Sequence, residues 1–327
     1  IKNPVKKDYY IKDLDDLPFP FSEDQINIFK IYNPNLKYVH QEEDKISLDV
    51  KRNKGTIGIV SSRGCPYNCQ FCSSTLFWGL KWRFRSPKNV VDEIDFYYKK
   101  FGFRYFTFRD DSFNVIPKRG IEICKEIIKR NLKIRFNITT RVDSVTDESV
   151  VWLKRAGCDF AAFGIESGSK KIRKTINKNL SLQSIIKGIN IYKKNKVPTR
   201  LLLMVGNPGE SNETIKKTIT LLKIIKPKDF SVSLTMVFPG TQLYELAKAQ
   251  QFIDDNYWLT KKPPPYYTYE NSLRTLKKWA YEINNYNKRF LKIRSTLYSI
   301  IFYVYFTEKF PWRLKKFLFN LHKIRKK

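Results

Sequence analysis

From Thr56 to Val237 the sequence alternates short runs of β-branched and aromatic residues with longer stretches at helical spacing. This alternation limits the fold more than any other feature. The strand-like runs are Thr56–Ser62, Arg104–Arg109, Lys133–Thr139, Asp159–Ile165, Thr199–Val205 and Asp229–Val237. Between them lie helical stretches at Pro87–Lys100, Lys118–Arg130, Thr146–Ala156, Ser169–Asn177, Ser181–Asn195 and Glu210–Ile225. The punctuation agrees with these bounds. Ser86-Pro87 is a helix start, Thr146-Asp147-Glu148 supplies an N-cap and acidic first turn, and Gly157 ends that helix. Repeated βα units imply a parallel sheet with right-handed crossovers. Six of them predict an α/β fold: an open, partial parallel (β/α)6 TIM-like barrel.

Around that core, residues 1–56 read as a linker. Asp13–Pro20 combines acids with two prolines and cannot continue a helix. Residues 57–245 read as the barrel. Residues 246–327, broken at Pro263-Pro264-Pro265, read as a basic, helical accessory region. Ligand sites on barrel-type sheets lie at the carboxyl ends of the strands, so motifs following each strand-like run carry the functional reading.

The sharpest of these is Arg63-Gly-Cys65-Pro-Tyr-Asn-Cys69-Gln-Phe-Cys72, directly after the first strand. Three of the five cysteines fall within eight residues, which is no disulfide framework and points to a metal site in a reducing compartment. Three thiolates can hold three irons of a 4Fe-4S cube and leave the fourth open. A structural zinc needs four ligands. Cys124 or Cys158 could complete such a set, yet neither pairs with another cysteine, and His40 and His322 are remote in sequence. Cys124 and Cys158 read as buried small hydrophobes.

The C-x3-C-x2-C motif with Phe71 before its last cysteine, placed after strand one of a βα repeat, resembles the radical S-adenosylmethionine (SAM) superfamily. The resemblance covers roughly residues 57–245. It implies a 4Fe-4S cluster on Cys65, Cys69 and Cys72 whose open iron chelates SAM. An electron from a flavodoxin- or ferredoxin-like donor then cleaves SAM to methionine and a 5′-deoxyadenosyl radical, which abstracts hydrogen from a substrate. Phe71 belongs to the implied SAM site. Asp110-Asp111 after strand two stands where the family carries a glycine- and acid-bearing motif for the SAM ammonium, and the Asp-Asp form resembles the cobalamin-dependent subgroup. Read without the resemblance, the pair caps a helix. Arg141 after strand three could take the SAM carboxylate or be a solvated charge. Glu166 and Ser167 in Gly164-Ile-Glu-Ser-Gly168 stand against the ribose in the family, and Ser167 could equally cap a helix. Gly206 and Pro208 after strand five border the adenine there. Phe238-Pro239-Gly240 after strand six borders the substrate pocket. Cobalamin itself would need an N-terminal domain that these 327 residues lack. The first residue is Ile1, consistent with a fragment.

The chain carries 62 Lys and Arg against 31 Asp and Glu, a net charge of +31. Such an excess attracts anionic partners, although a Lys-rich, low-GC composition gives the same number. Residues 307–327 hold eight basic residues, with Leu314, Phe317, Leu318, Leu321 and Ile324 at helical spacing. This amphipathic helix could pack on the barrel or lie on an anionic membrane. The longest largely apolar run, Leu297–Phe306, is too short to span a bilayer, which takes ~20 residues. No secretory signal opens the chain, so the expected location is the cytoplasm, with peripheral contact at the inner membrane surface through 307–327. The leading expectation is an enzyme acting on a hydrophobic small molecule, lipid- or tetrapyrrole-like, by methylation, cyclisation or rearrangement. RNA modification, as in methylthiotransferases, is an alternative that the charge permits. The absence of a second cysteine trio disfavours nucleic acid as a partner. A non-catalytic iron–sulfur or zinc protein is the third reading.

Overall fold

A computed structural model describes residues 10–21, 56–260, 262 and 265–286. The chain divides into a unit of residues 1–284 and one of residues 285–327. Nearly all of the second lies outside the described residues. So do most of the expected linker, the Pro263-Pro264 break, the 297–306 run and the 307–327 helix.

In chain order the elements are β1 (Thr56–Ile59), β2 (Ser62–Arg63), α1 (Ser74–Trp78), β3 (Arg83–Phe84), α2 (Pro87–Phe101), β4 (Tyr105–Phe108), α3 (Pro117–Lys129), β5 (Arg135–Thr140), α4 (Asp147–Arg155), β6 (Cys158–Glu166), α5 (Lys170–Thr175), α6 (Leu182–Lys194), β7 (Thr199–Val205), α7 (Asn212–Ile225), β8 (Asp229–Leu234), α8 (Gln242–Ala249) and α9 (Leu273–Asn284). Six strands form one parallel sheet in the order β1-β4-β5-β6-β7-β8. The expected (β/α)6 order is therefore present. The sheet does not close on itself, since β1 and β8 are its two edges.

The local chemistry explains the bounds. Ser86 caps α2 by accepting the Asn89 N–H at 3.1 Å, Pro87 opens the helix, and Gly102 ends it in the left-handed region at φ 75°. Thr146 and Ser149 form a capping box at α4. The sheet buries Phe106, Phe108, Phe136 and Ile138, and α2 and α3 bury Val90, Ile94, Ile123 and Ile127. Each such side chain contributes roughly 1.5–3 kcal/mol. Residues 10–21 strap this layer: Leu14 is buried, and the Asp15 carboxylate accepts the Ser86 N–H at 2.8 Å beside the α2 N-terminus.

Two departures from the sequence pattern matter for the site. The first strand ends at Ile59, and the chain turns so that β2 pairs antiparallel with β3. The Ser61 and Ser62 hydroxyls leave the sheet for the Asp110 carboxylate. The run Asp229–Val237 is strand only to Leu234, because Thr235–Val237 changes partner. Tyr267 donates its N–H to the Thr235 carbonyl at 2.9 Å, and Val237 donates to Pro265 at 2.9 Å. Helix α9, which falls in the region read as helical without assigned bounds, then buries Leu276, Trp279 and Ile283 against β8, β7 and α7. The Trp279 indole donates to Asn212 Oδ1 at 2.6 Å.

That returning segment covers the end of β7. Leu276 lies against Gly206, and Gly209 donates its N–H to the Glu270 carboxylate at 2.7 Å. Beneath, buried Glu210 accepts the N–H groups of Gly206 at 2.6 Å and Asn207 at 3.0 Å. Burial pushes its carboxyl from 4.5 up to about 7, with Glu270 adding to the effect and the two N–H donors opposing it. The folded value lies above the unfolded one. The stability contributed by Glu210 is thus complete below about 4.5 and is lost as pH rises through about 7. Urea unfolding at pH 5 and pH 8 checks this. The wild type should lose on the order of 2–3 kcal/mol across that window from this group, and Glu210→Gln should flatten the dependence. An identical slope in the variant refutes the assignment.

Candidate active site at the Cys65–Cys72 loop

The loop after β2 is pinned by two distant elements. Gln70 donates its N–H to the Ile176 carbonyl at the end of α5 and accepts the Leu243 N–H from α8, both at 3.0 Å. Asn68 Oδ1 accepts the Gln242 amide at 3.0 Å. Phe71 packs against the buried cluster of Val237, Leu243, Tyr244 and Tyr267, so the aromatic of the motif anchors the loop. Tyr67 lies under the Arg141 guanidinium, 3.8 Å from ring centroid to carbon, and ties the loop to the end of β5.

Cys69 is buried, and Cys65 and Cys72 are partly so; all three are free thiols. Burial raises the pKa of each. Cys72 raises the other two further, and Lys178 lowers all three. Cys124 and Cys158 stand apart, fully buried in α3 and β6 beside Tyr192. No ready-made metal cluster of Cys, His, Asp and Glu side chains exists among the described residues. The donor chemistry nevertheless fits a 4Fe-4S cube. Three soft donors share one short loop. Their burial disfavours thiolate unless a cationic centre is supplied. Neither Cys124 nor Cys158 is near enough to be a fourth ligand, as zinc would want.

The strand ends around the loop sort the remaining residues. Asp110 is buried, accepting from Ser61 Oγ at 3.0 Å and Ser62 Oγ at 2.5 Å, with the Arg119 guanidinium bonded to the Ser61 carbonyl at 2.6 Å. Burial holds its carboxyl up at about 6 against the pull of Ser62, Arg119 and Ser61. Asp111 faces the other way. It is exposed, accepts the Ser74 hydroxyl at 2.7 Å, and its charge acts on Cys65 and Cys72. Sequence alone did not separate the pair. Arg141 is held by a bidentate bond to Asp143 at 2.9 and 2.8 Å and donates to the Lys178 carbonyl at 3.2 Å.

At the end of β6, Glu166 adopts φ 63° where the ladder to β7 shifts register. Its Oε1 accepts from Lys178 Nζ at 3.0 Å, and both side chains are buried. Gly164 makes room for this: a Cβ there would lie 2.4 Å from Glu166 Oε1 and 2.8 Å from Lys178 Nζ. Burial works against the charge of Lys178, but Glu166 and then Cys69 more than offset it, so its pKa is raised. Ser167 points away from the thiols. Its hydroxyl lies 3.3 Å from that of Thr218 on α7 and accepts the Ser169 N–H at 3.2 Å. Gly206 and Pro208 form the turn under α9.

Lys178 is the functional candidate that the sequence reading missed. It sits between Asn177 and Asn179, both left-handed, at φ 55° and 41°. That Asn-Lys-Asn turn was its only signal, in a chain where lysine is abundant.

With this geometry in place, comparison with known proteins is decisive at the level of family. Residues 59–222, half of the chain, match the Radical SAM superfamily. An uncharacterized methyltransferase of Pyrococcus horikoshii is 32% identical over 200 residues, which cover 61% of this chain and 44% of that protein. An anaerobic magnesium-protoporphyrin IX monomethyl ester cyclase of Rubrivivax gelatinosus is 31% identical over 186 residues, 56% of this chain and 33% of that protein. The chain thus spans less than half the length of these relatives. Among solved structures, the radical SAM methyltransferase TsrM of Kitasatospora setae with a SAM analogue bound superposes with a TM-score of 0.58 at 19% identity, covering 72% of this chain and 46% of that one. The cobalamin-dependent SAM radical enzyme OxsB, with aqua-cobalamin and SAM bound, gives 0.56 at 18%, covering 83% of this chain and 45% of that one. These likenesses confirm the barrel fold. On the family match, the chain belongs to the Radical SAM superfamily and is an enzyme.

Proposed function

We propose that Cys65, Cys69 and Cys72 hold a 4Fe-4S cluster with one iron left for SAM, within a core of residues 57–245. That pair, when bound and reduced by a flavodoxin- or ferredoxin-like donor, supplies a 5′-deoxyadenosyl radical. The observation that carries the reading is the convergence of three free thiols, the buried Lys178–Glu166 pair and Asp111 at one rim of a parallel sheet.

The residues divide the work as follows. Asp111 accepts the SAM ammonium. Lys178, with Arg141 behind it, meets the SAM carboxylate and compensates the negative charge of the thiolates. Glu166 spends one oxygen on Lys178 and offers the other to the ribose diol. Asp110 fixes the backbone of Ser61 and Ser62 just before the loop. Phe71 holds the loop against α8, and Ser167, Gly206 and Pro208 shape the strand ends beside the nucleoside. Cobalamin is assigned no residue of this chain.

The substrate we propose is a hydrophobic small molecule, lipid- or tetrapyrrole-like, that is methylated, cyclised or rearranged. The names of relatives support this class: the Rubrivivax cyclase and a bacteriochlorophyllide d C-12(1)-methyltransferase of Chlorobaculum tepidum, 27% identical over 202 residues, 61% of this chain and 44% of that protein. No helix among the described residues is long and apolar enough to cross a membrane. We place the protein in the cytoplasm, with residues 307–327 touching anionic lipid.

Anaerobic reconstitution should load about four irons per chain. Cys69→Ala should lose the cluster absorbance and SAM cleavage together; unchanged iron content and cleavage would sink the proposal. Lys178→Met should weaken SAM binding to the reconstituted protein roughly 10- to 100-fold, the worth of a charged hydrogen bond, with equilibrium dialysis as the readout. In flotation with phosphatidylglycerol vesicles, the full chain should rise and a chain ending at 306 should not. Equal flotation removes the membrane role.

A further inference from the structure

In a closed eight-stranded barrel, bulky branched side chains fill the interior in layers. Here the inner face carries small and polar residues instead. Thr107, Asn137, Thr139 and Ala162 line a cavity of about 510 Å³ running down from the rim. Phe160 and Leu202 form its apolar wall. Two guanidinium groups reach it, and they differ in one respect. Arg200 donates to the Asp229 carboxylate at 2.6 Å and is neutralised there. Arg109 has no hydrogen bond or ion pair through its side chain among the described residues. Its Cγ rests over Gly58, where a Cβ would lie 3.2 Å away, so the absence of a side chain on β1 gives it its seat. Asp111 also lines the cavity, at its mouth, but is committed to the Ser74 hydroxyl.

A guanidinium without a partner, set in a cavity with one polar and one apolar wall, is suited to an amphiphile bearing an oxyanion. Arginine takes carboxylate or phosphate with two parallel N–H bonds, and Arg109, which lines the cavity and is also exposed to solvent, has its fork free among the described residues for such a contact. We infer that the lumen is a substrate pocket in which Arg109 binds a carboxylate or phosphate group of the substrate while Phe160 and Leu202 bind its apolar body. Arg109 thereby selects for anionic substrates. The inference rests on the radical SAM reading only in assigning the Asp111 charge to the SAM ammonium; Asp110 also lines the cavity, but it is taken up by the Ser61 and Ser62 hydroxyls and by the charge of Arg119.

The test uses three fluorescent probes on the full chain: 2-naphthoate, 2-naphthyl phosphate and neutral 2-naphthamide. At least one anion should bind more tightly than the amide, and the stronger of the two identifies the group. Arg109→Met and Arg109→Gln should each weaken that anion roughly 10- to 100-fold and leave the amide unchanged. Retained amide binding also shows that the variant is folded. Cys69→Ala should bind all three probes as the wild type does, so loss of the cluster and loss of the lumen site are read separately. Three outcomes would overturn the inference: the amide binding as well as both anions, Arg109→Met binding the anions unchanged, or no probe binding the wild type. A fourth is loss of SAM binding in Arg109→Met on the reconstituted protein, which would make the SAM carboxylate the partner of Arg109.

Discussion

Everything at the rim accommodates one buried cation. Removing an ammonium from water costs several kcal/mol even after relaxation, and Lys178 is nine-tenths buried in side chain. Glu166 is its counter-charge. To reach it, the chain at the end of β6 takes a left-handed residue, shifts its register against β7, and admits no side chain at position 164. The two left-handed asparagines that flank Lys178 bring the turn between α5 and α6 under the cysteine loop, and the end of α5 binds that loop through Gln70. A loop of three thiols, a strand irregularity and a helix connection are thus parts of one electrostatic arrangement.

The same rim shows where sequence patterns inform and where they stop. All six strands were legible, because β-branched and aromatic runs bounded by Gly and cap residues carry their own period. Thr199–Val205 was read to the residue. Legibility failed where a segment depends on a remote partner. Thr235–Val237 has the composition of strand, yet pairs with 265–267 outside the parallel ladder. Helix α1 and the β2–β3 pair are too short for periodicity to register. Among site residues, the cysteine trio is visible from spacing alone. The division of labour between Asp110 and Asp111 is invisible, since it depends on which carboxylate the Ser61 and Ser62 hydroxyls reach. Lys178 is hidden by the number of other lysines.

The segment from Pro265 to Asn284 gives the barrel a lateral brace. It supplies the backbone partner of Thr235–Val237, a carboxylate for Gly209 and an apolar stripe against Gly206. It therefore fixes the ends of β7 and β8, as the cysteine loop and α8 fix each other through Gln70 and Phe71. Two of the strand ends around the rim are positioned by residues beyond the βα repeat.

The unclosed sheet has a mechanical consequence. In a sealed cylinder, admitting a wide, flat molecule from the side would mean breaking a row of interstrand hydrogen bonds, and entry is restricted to the ends. Here β1 and β8 share no ladder among the described residues. Across that seam the cysteine loop and α8 are joined by a few bonds instead, Leu243 N–H to the Gln70 carbonyl and the Gln242 amide to Asn68. Lateral access on that side is therefore guarded by a handful of loop bonds, where a sealed cylinder would set a whole row of ladder bonds.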